Sequence, residues 1–122
     1  MIPADSRRFV EVCIYDVKPG KADEFERLIE RVAGHHRDAP GTVDVRWMKR
    51  THRQADFASA RRGEPPIRLT RAPKSVTYIL YWELDSAVAH AAATKSGLEI
   101  FFRDFASCLV APPKIILGER IE

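Results

Sequence analysis

The sequence predicts an α+β, ferredoxin-like fold: a βαββαβ unit whose four strands form one antiparallel sheet with helices on one face. Three observations predict it. Strand-like and helix-like segments follow one another in the order β-α-β-β-α-β. The chain has 122 residues, enough for one domain, 1–122, with one core. The third strand-like run, Val76–Leu84, is apolar on both faces, which suits a sheet covered on both sides.

Phe9–Val17, FVEVCIYDV, is rich in β-branched and aromatic residues and reads as the first strand. Val10, Val12 and Ile14 point one way; Glu11, Cys13 and Tyr15 point the other. Pro19-Gly20 stops it. Lys21–His36 reads as a helix, because Phe25, Leu28, Ile29, Val32 and His36 recur every three or four residues. Acids crowd its first turn, where the helix dipole favours them. Gly34 and then Pro40-Gly41 are expected to end it.

Thr42–Arg53 reads as the second strand, with Val43, Val45 and Trp47 on one face. Val76–Leu84 is the third, with Tyr78, Leu80 and Trp82 on one face and Ile79 and Tyr81 on the other. Asp85 is placed as the N-cap of a short helix over Ser86–Lys95. Ser96 and Glu99 match a capping box, which predicts a separate helical piece bearing Leu98, Phe101, Phe102, Phe105 and Leu109. Pro112-Pro113 ends that piece, and Lys114–Arg120 reads as the last strand.

Between strands two and three lies Gln54–Pro73, an insertion far longer than a hairpin loop. Gln54–Arg62 has room for one or two helical turns. The two-faced third strand calls for a cover on the second face of the sheet. A second copy of the chain is the simplest one, so a homodimer is expected.

The apolar fraction of 45% and charged fraction of 30% suit an ordinary globular protein. No run approaches the roughly 20 apolar residues that span a bilayer, so no membrane partner is expected. The first residues, MIPADSRRF, lack an apolar signal core, and the cytoplasm is the expected location. Cys13 and Cys108 sit in apolar patterns and read as buried small hydrophobes, not as a disulfide framework. The net charge of +3 is uneven. Lys49–Lys74 carries eight Lys/Arg and two acids, a net +6, so one segment is the part that attracts an anion. Arg61, Arg62, Arg68 and Arg71 suit a carboxylate or phosphate; a solvated loop is the plainer reading.

The turn and strand motifs resemble the antibiotic biosynthesis monooxygenase family of dimeric α/β barrels. Pro19-Gly20-Lys21 with Phe25 matches the turn that opens the first helix. Pro40-Gly41 matches the turn before strand two. Tyr81-Trp82-Glu83 running into Ala89-His90 matches the strand-to-helix junction. The resemblance covers most of Phe9–Ile121. It implies pairing as a dimeric barrel and oxidation of a small aromatic, quinol or polyketide-like substrate by O2, without metal or flavin cofactor. Non-catalytic ligand-binding or stress-response barrels, and cyclases or isomerases, share the fold. Haem-degrading relatives use an Asn on strand one and a late His; this chain has no Asn and no His after His90.

That chemistry needs a base, an aromatic wall and a donor for the developing oxyanion. His90 is the candidate catalytic base, since an imidazole titrates near neutral pH. Trp47, Tyr78, Tyr81, Trp82 and Phe101 are the candidate substrate-binding residues. Each has a plainer reading as core or interface. Glu83 reads as a solvated or dimer-bridging carboxylate, with orienting His90 as the alternative. His35-His36 lies near a helix C-terminus, where the dipole favours imidazolium. Adjacent histidines without a third ligand make no zinc site, and no metal ligand is assigned. The chain lacks the RNP-type stretch of RNA-recognition modules, and no nucleic-acid partner is expected.

Overall fold

The computed structural model describes residues 7–70 and 73–122. Four strands, β1 (Phe9–Val17), β2 (Thr42–Lys49), β3 (Val76–Leu84) and β4 (Lys114–Glu119), form one antiparallel sheet in the order β2-β3-β1-β4. Helices α1 (Ala22–Asp38) and α3 (Ala87–Cys108) cross one face of it, and a short α2 (Phe57–Arg61) lies in the insertion. This is the ferredoxin-like arrangement expected from the order of elements.

Register explains which residues meet. Cys13 lies opposite Leu80 and Tyr15 opposite Tyr78, while Val45 pairs with Trp82. Strand alternation therefore collects Cys13, Tyr15, Val17, Tyr78, Leu80, Trp82 and Leu84 on the helix-bearing face, all buried. The apolar stripe of α1, Phe25, Leu28 and Val32, seals against them. Cys13 and Cys108 are both buried free thiols.

Gly34 does not end α1, which runs on to Asp38; a single Gly costs a helix about 1 kcal/mol, less than the packing around it supplies. The turn that follows needs Gly41. Its φ is +89°, and a Cβ there would lie 2.6 Å from Asp85 Oδ1 and 2.7 Å from Ala89 Cβ. The Asp85 N–H donates to the Gly41 carbonyl at 2.8 Å, tying this turn to the start of α3.

Several boundaries differ from the sequence reading. The N-cap of α3 is Ser86, whose hydroxyl accepts from the Ala89 N–H at 3.1 Å. Asp85 already serves Gly41 through its backbone. The two helical pieces are one helix of 22 residues. Ser96 turns its hydroxyl to His35 Nε2 at 3.1 Å and caps nothing. Buried His90, Ala93, Gly97, Phe101 and Cys108 give one continuous inner stripe, so tertiary packing carries the helix through the Thr94–Gly97 region. Finally, β2 stops at Lys49, and β4 stops at Glu119. Beyond β2 the insertion folds on itself, with the Leu69 N–H donating to the Thr51 carbonyl at 2.8 Å and Arg53 bonded to both carboxylate oxygens of Asp56. Arg71 lies outside the described residues.

The second face of the sheet carries neither α1 nor α3; the insertion with α2 borders part of it. Val12, Ile14, Ile79 and Tyr81 are half-buried there, and Met48 is exposed. Glu83 sits on this face too, buried under Arg8, Arg120 and Tyr81, which donate to it at 3.0, 3.1 and 2.9 Å. Burial pulls the Glu83 carboxyl upward, but these donors outweigh it and hold it below its ordinary value. No helix among the described residues is long and apolar enough to cross a membrane.

Candidate functional site

A cavity of about 560 Å³ opens between the sheet and α3. Strand β1 supplies its polar floor, because Glu11, Cys13 and Tyr15 alternate onto the helix-bearing face. His36 enters from α1 and Trp82 from β3. Helix α3 adds Thr94, Phe101 and Phe105, two turns and then one turn apart. Leu98 and Phe102 are exposed where the cavity reaches the surface, near the Leu109–Pro113 connection.

A carboxylate on a core-facing strand position is costly unless paired. Glu11 accepts its pair from α3: His90 Nε2 lies 2.7 Å from Glu11 Oε1, and both side chains are buried. Thr94 Oγ1 is 3.3 Å from the same nitrogen. The His90 ring packs against Phe9 at 4.7 Å and Trp82 at 5.2 Å. Glu11 lines the cavity and His90 stands behind it, outside the lining.

Burial pushes the Cys13 thiol up to about 11, against a hydrogen bond with Tyr15 that lowers it and with a lesser upward push from the Glu11 charge. Cys13 is therefore a thiol at neutral pH and no nucleophile. Burial, then Cys13 and Glu11, raise the Tyr15 phenol well above its ordinary value. Tyr15 stays protonated and keeps a hydrogen to donate. Its ring is held by Phe105 at 5.2 Å and Trp47 at 5.6 Å, both stacked.

His36 stacks face to face on Trp82, with centroids 3.7 Å apart and planes 2° from parallel. The Trp82 indole N–H donates to Thr42 Oγ1, and that hydroxyl donates to the His36 carbonyl, fixing the stack. Burial, then the charges of His35 and His90, lower His36 to about 3. It is neutral at physiological pH. The helix dipole, which argued for imidazolium here, loses to desolvation because this ring faces the core.

The residues singled out from sequence part company. Trp82 and Phe101 line the cavity. His90 reaches it through Glu11. Trp47 lies to one side, between Tyr15 and Phe25, and its Nε1 has no partner among the described residues. Tyr78 is buried beside Phe25 and donates to Glu26 at 2.7 Å. Tyr81 is on the opposite face, donating to Glu83, so the sheet separates it from the cavity. Glu83 does not meet His90; it faces the arginines. Glu11, Tyr15 and His36 were not assigned to a site. The signal was present: an acid sharing one strand face with Cys13 and Tyr15 on a strand apolar on both sides. None of the described residues of the insertion lines this cavity. The insertion lines a groove on the other face with Ile14, Thr77 and Ile79.

No protein-family model matches the sequence, and no curated protein matches it. Solved structures do match in shape. A protein from Nitrosomonas europaea named "Putative antibiotic biosynthesis monooxygenase" superposes with a TM-score of 0.67 at 15% identity, covering 98% of this chain and 96% of its own. SnoaB, a cofactor-independent oxygenase from Streptomyces nogalater, gives 0.63 at 16% identity, with 98% and 96% covered. The monooxygenase from the ActVA-Orf6 gene of Streptomyces coelicolor, solved with nanaomycin D, gives 0.61 at 15% identity, with 96% and 90% covered. Over nearly its whole length, this chain shares the fold of antibiotic biosynthesis monooxygenases.

Proposed function

We propose that the protein binds a small aromatic, quinol or polyketide-like molecule in this cavity and oxidises it with O2, without a bound cofactor. The observation that carries the reading is the aromatic-walled cavity with the Glu11–His90 pair at its floor. Trp82, Phe101 and Phe105 hold the ring. Glu11 takes a proton from an activated carbon, and His90 holds the carboxylate in place and shares its proton. The protonated Tyr15 donates to the oxyanion left on the ring, where a hydrogen bond in a dry site is strongest.

The electron-rich anion passes one electron to O2, and radical and superoxide join as a peroxide. Glu11 returns its proton to the peroxide and removes the second hydrogen of the same carbon as the O–O bond breaks. The carbon becomes a carbonyl, and hydroxide leaves as water with that proton. One CH2 and one O2 thus give one C=O and one H2O.

The unit acts as one domain and pairs through the face of the sheet opposite α1 and α3, which carries Val12, Ile14, Ile79 and Met48. The basic insertion borders that face and offers the subsidiary place for an anionic ligand.

An oxygen electrode with a panel of quinols and anthrones tests this. Oxygen uptake is expected, and Glu11→Gln or His90→Ala lowers it by about 10²-fold or more with the fold retained. Ligand stabilisation against melting without turnover returns the protein to the ligand-binding class. Neither turnover nor stabilisation across the panel overturns the cavity reading.

A further inference from the structure

A second polar chain leaves the cavity at His36. His36 Nδ1 is 3.1 Å from His35 Nδ1, and His35 Nε2 is 3.1 Å from Ser96 Oγ. Ser96 is exposed, and with His35 it lines a separate surface groove between α1 and α3. Gly97 makes the crossing possible: a Cβ there would lie 3.3 Å from His35 Cε1. The two imidazoles and the hydroxyl therefore connect the cavity to a second surface, the groove between α1 and α3. Resting on the oxygenation proposed above, we infer that His36 is a second proton-carrying group of the cavity, exchanging protons between a bound ligand and solvent through His35 and Ser96.

Tautomers follow from counting donors. Two nitrogens facing each other at 3.1 Å need one proton between them. If His36 Nδ1–H donates to His35, then His35 carries its own proton on Nε2 and donates to Ser96. Both imidazole protons are then bonded. In the reverse arrangement His36 carries its proton on Nε2, for which the described residues offer no acceptor. The relay takes the first arrangement, which leaves His36 Nε2 bare for a ligand in the cavity.

A lone His36 is a weak base. Lowered to about 3 by burial and by its neighbours His35 and His90, it carries a charge in about one molecule in 10⁴ at pH 7. The relay removes that obstacle. A ring hydroxyl gives its proton to Nε2 as Nδ1–H passes to His35, His35 Nε2–H passes to Ser96, and the Ser96 proton leaves to water. One proton moves from ligand to solvent, and no imidazolium need persist beside Trp82. The reverse passage returns the proton to the product hydroxyl and restores the starting tautomers. Glu11 still performs the carbon acid chemistry.

Long-range ¹H–¹⁵N correlation on histidine-labelled full-length protein decides this. Between pH 5 and 8, His36 is expected neutral, with its proton on Nδ1 and Nε2 bare. His35→Phe removes the acceptor and shifts His36 toward the Nε2–H form. Ser96→Ala, an exposed position that leaves the fold intact, speeds exchange of the His35 proton. A wild-type His36 protonated on Nε2, or titrating in that range, overturns the relay. With dithranol as the hydroxylated probe, Ser96→Ala lowers kcat by about tenfold at unchanged KM, less than loss of a direct acid or base. An unchanged kcat in an active enzyme also overturns it. Absence of wild-type oxygen uptake, with the tautomers as stated, sinks the oxygenation and leaves the relay standing.

Discussion

Glu11 and His90 are each costly alone and inexpensive together. Leaving one buried ion without its partner typically costs about 3–5 kcal/mol, whereas an apolar pair of similar volume is close to neutral. Glu11→Leu and His90→Leu should therefore each destabilise by a few kcal/mol, and the double variant by much less than their sum, as read by urea denaturation. Additive losses would show that the 2.7 Å contact is not the origin of the cost. Cys13 gives a second prediction. With its thiol raised to about 11 by burial, it should resist iodoacetamide in the folded protein at pH 8 and react on unfolding. His36 gives a third. Its unfolded imidazole binds a proton as pH falls through about 6.5, and its folded form does so only near 3. Stability from this residue is complete above 6.5 and drains away as pH falls toward 3, by a few kcal/mol in all. The Glu83 contribution starts to fall only below its ordinary value of 4.5, so the interval from 6.5 to 5 reads His36 apart from it. His36→Phe, which preserves the stack on Trp82, should flatten the urea midpoint across that interval.

Among the elements, α1 was legible because its apolar spacing is regular and its polar face is filled with charge. Helix α3 was not. Its inner stripe contains His90, Ala93 and Gly97, which carry little apolar signal, and Ser96 with Glu99 imitates a helix start. Only the histidines of α1, seated over Gly97, explain why a small residue stands there and why the helix does not break. The ends of α3 supply the test at this scale. Ser86→Ala should cost about 1 kcal/mol through loss of the cap, while Asp85→Ala costs little, because Asp85 serves Gly41 with its backbone. Equal losses in thermal melts of the two variants would contradict the assignment.

For the whole molecule, assembly turns on the face of the sheet opposite α1 and α3. Its apolar residues, with Glu83 tied down beside them by two arginines, suit a covered surface better than a wetted one. Light scattering at micromolar concentration should give twice the chain mass. Met48→Glu, placed at the exposed edge of that face, should shift the population toward monomer. A monomeric wild type at that concentration would remove the dimer, and with it the reason for an apolar second face.

The order of strands and helices, the pairing of Val76–Leu84 into two differently used faces and the burial of both cysteines follow from the sequence alone, because periodicity and turn residues act within a few positions along the chain. The site did not follow in the same way. Trp82 and Phe101 line the cavity, but Tyr81, their neighbour in the sequence reading, does not, because a one-residue step along a strand reverses the side chain. Glu11 and His90 are separated by 79 positions, and only antiparallel packing of β1 under α3 brings them to 2.7 Å. The partnership of His36 with His35 and Ser96, and the loss of its charge, likewise depend on which face of α1 the sheet buries. Local patterns determined the elements; desolvation and long-range pairing, which exist only once the elements pack, decided which side chains share the cavity.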